Sequence, residues 1–240
     1  MQSEQLVDVQ QALARSADDL TSSQPGLPTA GDQRLERLTR AALDNVPGTD
    51  YVVLTMREQD GGLASYAPTS PDIEELDRLQ VSLGEGPCLD AVAAGTSTVI
   101  DVPDFAAETT RWPRFCAAAS SLGIGSLISF GMAPDGAVPG AVNFYSRSTD
   151  GFDETARVIA GAFAMQAAVA VYGAQRISSL ERALATRDLI GQAKVILMER
   201  HHATPERAFD MLVGASQDTN MKLVDVARWL TGEVAGTPSG

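Results

Sequence analysis

The side chains best suited to nucleophilic, redox or metal chemistry in this 240-residue chain are two cysteines and two histidines. Cys88 follows Gly84-Glu85-Gly86-Pro87, a glycine-containing turn with proline at the first position of a helix. A thiol at a helix start has a lowered pKa, which makes Cys88 a candidate nucleophile and Cys88 with Cys116 a candidate redox pair. The competing reading is burial: Cys88 as a small residue behind Pro87, and Cys116 in a helix beside Phe115 and three alanines. The same turn offers backbone N–H groups to an anion, but Glu85 opposes a phosphate and no lysine is near. His201 and His202 are adjacent, close to a helix end, and no His/Cys cluster has metal-ligand spacing, so the sequence points to no metal and identifies no cofactor. Residues 1–174 contain no histidine, which excludes a Cys–His dyad or a histidine-held haem from that stretch.

A second kind of chemistry lies in the cations near the C-terminus. Arg182, Arg187, Lys194, Arg200, Arg207, Lys222 and Arg228 are spread over helical segments and interleaved with Gln192, Ser216, Gln217 and Asn220. Two readings compete: solvated faces paired with nearby acids, or contacts to nucleic acid. The chain has 31 acidic and 18 basic residues, a net charge of −13. All of that excess falls in residues 1–174, with 23 acids and 10 bases, whereas 175–240 balances 8 against 8. General coating of DNA or of anionic membrane is disfavoured, while a local site in the neutral tail is not.

These residues need elements to position them. Leu6, Val9, Leu13, Ala17 and Leu20 give a helical face over 5–20, and 21–29 (TSSQPGLPT) reads as a linker, so this helix is expected to pack elsewhere. Leu35, Leu38, Ala42 and Leu43 mark a second helix, stopped at Val46-Pro47-Gly48. Strands are predicted at 51–56, 62–66, 97–102, 126–132 and 141–145, with helices at 71–80, 88–94 and 112–122 and a turn at 133–140. Hairpins joined by helices predict an α+β fold with an antiparallel sheet. Beyond residue 153 the pattern is helical. Val158, Ala162, Met165 and Val169 start a long helix that Ile177, Leu180 and Leu184 extend, followed by three short helices. The second opens at Thr204-Pro205-Glu206 and buries Phe209, Leu212 and Val213; the third opens at Asn220. The apolar run Val158–Ala174 has 17 residues against the ~20 a bilayer needs, so a dimer seam or core helix is preferred to an anchor. The polar start MQSEQLVDVQQ and the few cysteines point to a reducing cytoplasm.

Residues 180–230 resemble the ANTAR domain, a three-helix RNA-binding module of bacterial antiterminators. The resemblance is carried by Arg187, Ile190, Gln192-Ala193-Lys194, Leu197-Met198, Ala208-Phe209, Leu212, Ser216, Asn220, Lys222-Leu223 and Asp225-Val226-Ala227. Val195 stands where the family usually has glycine, and Val213-Gly214 where a pair of arginines is common. Residues 32–172 resemble a GAF sensory domain through Leu83-Gly84-Glu85-Gly86-Pro87-Cys88, Arg111-Trp112-Pro113-Arg114-Phe115, Gly140 to Ser146 and Phe152.

The resemblance implies three parts: an N-terminal helix and linker over 1–29, a GAF domain over 30–174, and a helical stalk with an ANTAR domain over 175–240. It implies a homodimeric regulator, not an enzyme, whose sensory domain takes an unidentified small molecule or partner. Its tail would hold tandem stem-loops of nascent RNA, with Arg187, Lys194, Lys222 and Arg228 on phosphate or loop bases and Gln192 and Ser216 reading unstacked bases. Two alternatives stand beside it: a thiol redox sensor or methionine sulfoxide reductase using Cys88, and a dimerising protein-interaction module without RNA.

Overall fold

The structure, a computed structural model, describes residues 11, 13–15, 33–58, 61–95, 98–132 and 139–235. Its contacts divide the chain into two units, residues 1–175 and 176–240.

The first unit contains α1 (Gln33–Asn45), β1 (Tyr51–Arg57), β2 (Leu63–Tyr66), α2 (Pro71–Leu83), α3 (Pro87–Ala94), β3 (Val99–Val102), α4 (Pro113–Ser121), β4 (Ser126–Met132), β5 (Gly140–Ser146) and the start of α5 (Glu154–His201). The five strands form one sheet in the order β2-β1-β5-β4-β3, each neighbouring pair antiparallel. Successive side chains of a strand point to opposite faces, and here both faces are covered. Val52, Leu54, Ile128, Val142 and Phe144 pack against Leu35, Leu38 and Ala42 of α1 and Ala156, Ala160, Phe163 and Ala167 of α5. Val53, Leu127 and Tyr145 face the other way, onto Ile73 and Leu76 of α2 and Phe115 and Cys116 of α4. On that side Cys88, Ala91 and Val92 of α3 pack on Ala141. Close approach of α3 requires glycine at position 131, where a Cβ would lie 2.6 Å from the carbonyl oxygen of Ala91 and 2.4 Å from that of Gly95.

Of the helix expected over 5–20, only Gln11 and Leu13–Arg15 lie among the described residues. Leu13 packs on the α1/α5 side of the sheet, and its carbonyl accepts from Gln166 Nε2 at 2.8 Å. For Leu13 the expectation of packing elsewhere is thereby corrected: its side chain joins the core of the first unit. The linker at 21–29 and residues 133–138 of the predicted turn lie outside the described residues.

Helix α5 has two apolar faces in the first unit. One is buried on the sheet; the other leaves Val158 66 %, Met165 71 % and Val169 70 % exposed. The helix is long and apolar enough in length and composition to cross a bilayer, yet its buried face is filled by protein.

The second unit comprises the rest of α5, α6 (Pro205–Thr219) and α7 (Leu223–Ala235) around Ala193, Leu197, Ala208, Leu212, Val226, Ala227 and Leu230. The first of the three expected short helices is the end of α5. No proline interrupts residues 176–201, and the lone Gly191 costs a helix only ~1 kcal/mol. Helix α6 begins as predicted, with Thr204 Oγ1 accepting from the Arg207 N–H at 3.3 Å and Pro205 in the first turn. It ends at Asn220, whose φ of +53° is left-handed, so α7 opens at Leu223 rather than Asn220. Phe209, expected in the core, is 41 % exposed. The buried stripe of α6 runs through Ala208 and Leu212, and Phe209 is rotated from Ala208 by about 100°.

Candidate functional site

The first unit buries a polar cluster on the α2/α3 side of its sheet. Alternation along β1, β4 and β5 sends Thr55, Ser129, Asn143 and Tyr145 to this face, and all four are buried. Helix α2 contributes Asp77 and Gln80 from the same stripe as Ile73 and Leu76. The hydrogen bonds run in one direction. Ser129 Oγ donates to Asn143 Oδ1 at 2.6 Å, Asn143 Nδ2 to Thr55 Oγ1 at 3.0 Å, and Thr55 Oγ1 to Asp77 Oδ2 at 2.7 Å. Ser65 Oγ donates to the same oxygen at 2.6 Å, and Gln80 Nε2 to Asp77 Oδ1 at 3.1 Å. The donors converge on a carboxyl group with 2 % exposure. Burial pushes its pKa up, against the lowering effect of the hydroxyl, thiol and amide donors around it.

Gln80 ties this cluster to the turn before α3. Its Oε1 accepts from the Cys88 N–H at 2.9 Å, and its Nε2 also lies 3.3 Å from the Tyr145 hydroxyl. Gly86 makes room for it: with φ of +153°, a Cβ there would sit 2.2 Å from Gln80 Oε1. Cys88 is thus at a helix start, as predicted, but its thiol points into the cluster. Burial, then the nearby Asp77, push the thiol pKa far up, the reverse of the lowering expected at a helix N-terminus. Cys116 is also buried, and its pKa is raised to about 11 chiefly by burial. Neither thiol has the exposed, electropositive surroundings of a reactive cysteine, so the candidate redox pair is not supported by its environment.

Glu85 has a different task from opposing an anion. Its carboxylate folds over the start of α4, accepting from the backbone N–H groups of Arg114 at 2.6 Å and Phe115 at 3.0 Å and from Arg114 Nε at 3.2 Å. It satisfies free donors of a helix 29 residues further on, binding the two sequence motifs together.

In the second unit, Arg187 and Lys194 are seven residues apart on α5 and lie on one side of it. Lys194 Nζ stands 5.9 Å from the centre of the Phe209 ring. Glu206 is held below its usual pKa by hydrogen bonds at the start of α6, from its own N–H and from Thr204, with a smaller contribution from Lys194. Gln192 is exposed but, two residues from Lys194, falls on another side of the helix. Lys222 is exposed at the start of α7, where its carbonyl accepts from the N–H groups of Asp225 and Val226. Arg228 pairs with Asp225 one turn away. The Ser216 hydroxyl donates to the Met221 carbonyl at 2.6 Å, so its proton is committed to the α6–α7 turn and only its lone pairs are free for a base. The structure therefore brings Lys194 to an exposed aromatic ring, with Arg187 two turns away on the same side of α5, and leaves Gln192 apart. Among the described residues, no group of three or more His, Cys, Asp or Glu could hold a metal ion.

Two elements of this arrangement were missed from the sequence. Asp77 and Gln80 occupy the apolar phase of α2, a signal readable from the spacing Ile73, Leu76, Asp77, Gln80. The helical spacing of Phe209 to Leu212 and Val213 points to the core, and only the burial of Ala208 shows that the stripe lies one position earlier.

An antiparallel sheet covered by helices on both faces, followed by a small helical unit, defines a two-part protein of α+β domain and all-α module. A GAF domain model matches residues 32–171, and an ANTAR domain model matches residues 178–230. The chain belongs to the GAF family and carries a C-terminal ANTAR domain, the pairing found in regulators of the antitermination type. Among similar solved structures is the N-acylhomoserine lactone dependent LuxR-family factor CepR2 of Burkholderia cenocepacia, 17 % identical over 70 % of this chain and 98 % of that one, with a TM-score of 0.54. The free methionine-R-sulfoxide reductase of Neisseria meningitidis in complex with its substrate is 17 % identical over 70 % and 91 %, with a TM-score of 0.52. The GAF domain of a phosphoenolpyruvate-protein phosphotransferase of Coxiella burnetii is 15 % identical over 72 % and 98 %, with a TM-score of 0.53. At these identities the likeness is one of fold. Comparison with curated protein sequences finds no match.

Proposed function

We propose that this protein is a cytoplasmic, homodimeric antitermination regulator: the GAF unit responds to a small molecule or partner, and the ANTAR unit holds tandem stem-loops of nascent RNA. The observation that carries this reading is the GAF–ANTAR pairing itself. It is supported by the placement of Arg187 and Lys194 on one side of α5, suited to neighbouring phosphates. Helix α5 belongs to both units and is the covalent route between them. A signal acts only through its differential affinity for the RNA-competent state, so the two units are linked as a two-state equilibrium. The occupant of the exposed apolar face of α5 is a second copy of the chain. Val158, Met165 and Val169 in the first unit and Ile177, Leu180 and Leu184 in the second recur at helical spacing, and a dimer presents two ANTAR units to two loops.

The reading is tested by gel shift at low salt, with the full chain, on RNA bearing two hairpins with six-nucleotide loops. Preference for this RNA over an unstructured RNA of equal length is the expected result; equal affinity for both overturns RNA recognition. The reductase in the comparison above shares the fold, but a buried Cys88 thiol with a raised pKa gives no observation in favour of thiol chemistry here.

A further inference from the structure

Three cation–aromatic pairs occur among the described residues, and they differ in what the ring is doing. Arg111 lies over Trp112, whose ring is buried and whose indole N–H donates to Asp90. Arg147 lies near Tyr51 and is also bonded to its hydroxyl. Both pairs are explained by packing and hydrogen bonding within the GAF unit. Phe209 beside Lys194 is not: the ring has no polar atom to satisfy, and 41 % of the residue is exposed although the core of its unit lies one helical position away at Ala208. An exposed phenyl ring with an ammonium group near it, and a guanidinium two turns along the neighbouring helix at Arg187, combines a stacking surface with phosphate-binding charge.

We infer that Phe209 is a stacking platform for one unpaired base of the bound RNA loop, with Lys194 on the phosphate beside that base and Arg187 on a phosphate further along the strand. The inference rests on the RNA-binding reading above and adds a residue and a contact type to it. Every base has a π-face, so such a platform strengthens binding without selecting the base. A phenyl group carries no charge, so it adds nothing to the salt dependence, which belongs to the cations. These two properties separate a platform from a phosphate contact.

The test uses the full chain and the two-hairpin RNA with 2-aminopurine placed at each loop position in turn. Phe209→Leu keeps an apolar side chain and removes the ring; it is expected to weaken binding about tenfold per hairpin, about a hundredfold for the dimer on both, the order found for loss of one base–aromatic stack in each unit. The slope of log affinity against log salt should stay at the wild-type value. Phe209→Tyr and Phe209→Trp should retain the affinity. Binding of the wild type should quench 2-aminopurine at one loop position, and Phe209→Leu should abolish that quenching. Wild-type affinity in Phe209→Leu overturns the inference, as does equal weakening by Leu, Tyr and Trp, which would mark the ring as a structural part. Should Phe209→Leu fail to fold, the absence of quenching at every loop position in the wild type overturns it. Failure of the wild type to bind the RNA at all overturns the RNA reading and this inference with it, whereas tight RNA binding unaffected by Phe209→Leu overturns the inference alone.

Discussion

Asp77 is a carboxyl group without a basic side chain among its described partners, held by Thr55, Ser65 and Gln80 inside the GAF unit. Burial raises its pKa in the folded state above that of the unfolded chain, so the folded state favours the neutral acid. The sign follows from linkage: its contribution to stability is full below the ordinary carboxyl range and is lost as pH rises through the folded-state pKa. Asp77→Asn removes the ionisation while keeping the shape. The variant should therefore gain stability relative to the wild type on going from mildly acid to mildly alkaline pH, seen as a growing difference in urea midpoint; a difference that stays constant with pH contradicts the assignment. The sequence showed a helix here but not the acid in its core, because a carboxylate next to Leu76 reads as a solvated position until the phase of the buried stripe is known. Cys88 shows the complementary limit. Proline at the first helical position was legible, yet which way the thiol points depends on Gln80, Gly86 and the sheet, all fixed by tertiary packing.

Local signals placed most elements. The cap at Thr204-Pro205 and the left-handed Asn220 act over a few residues, although Asn220 closes α6 rather than opening α7. What sequence could not provide was continuity and orientation: α5 runs unbroken for 48 residues, and Phe209 falls outside the core by one helical position. The exposed side of α5 is where element-level physics makes the firmest demand. Burying Val158, Met165 and Val169 against a second copy removes three large side chains from water, each contributing ~1.5–3 kcal/mol when fully buried. Replacing Val158 and Met165 together by Asp should convert a dimer into a monomer in sedimentation experiments. The monomer should keep the far-UV circular dichroism of the wild type, because these positions lie outside the GAF core, while its thermal midpoint should fall by the stabilisation that the dimer supplies. A dimer that persists unchanged would show that α5 is not the seam.

On the scale of the whole molecule, charge is divided unequally between the two parts of the chain. Residues 1–174 carry the entire −13, and residues 175–240 are balanced at 8 and 8. RNA binding therefore cannot come from net charge and must come from where the tail's few cations are placed. Arg228 is paired with Asp225, whereas Lys222 stands exposed at a helix start, where a cation opposes the helix dipole. Lys194 and Lys222 are the cations on which the account depends most, and salt dependence counts them directly. Measured for the full chain on the two-hairpin RNA, log affinity should fall linearly with log salt. In the Lys194→Ala, Lys222→Ala double variant the slope should become shallower by about 3 to 3.5, as expected for the loss of two phosphate contacts in each of the dimer's two ANTAR units. A double variant with the wild-type slope and the wild-type affinity would contradict the claim that this ANTAR unit binds RNA through these residues.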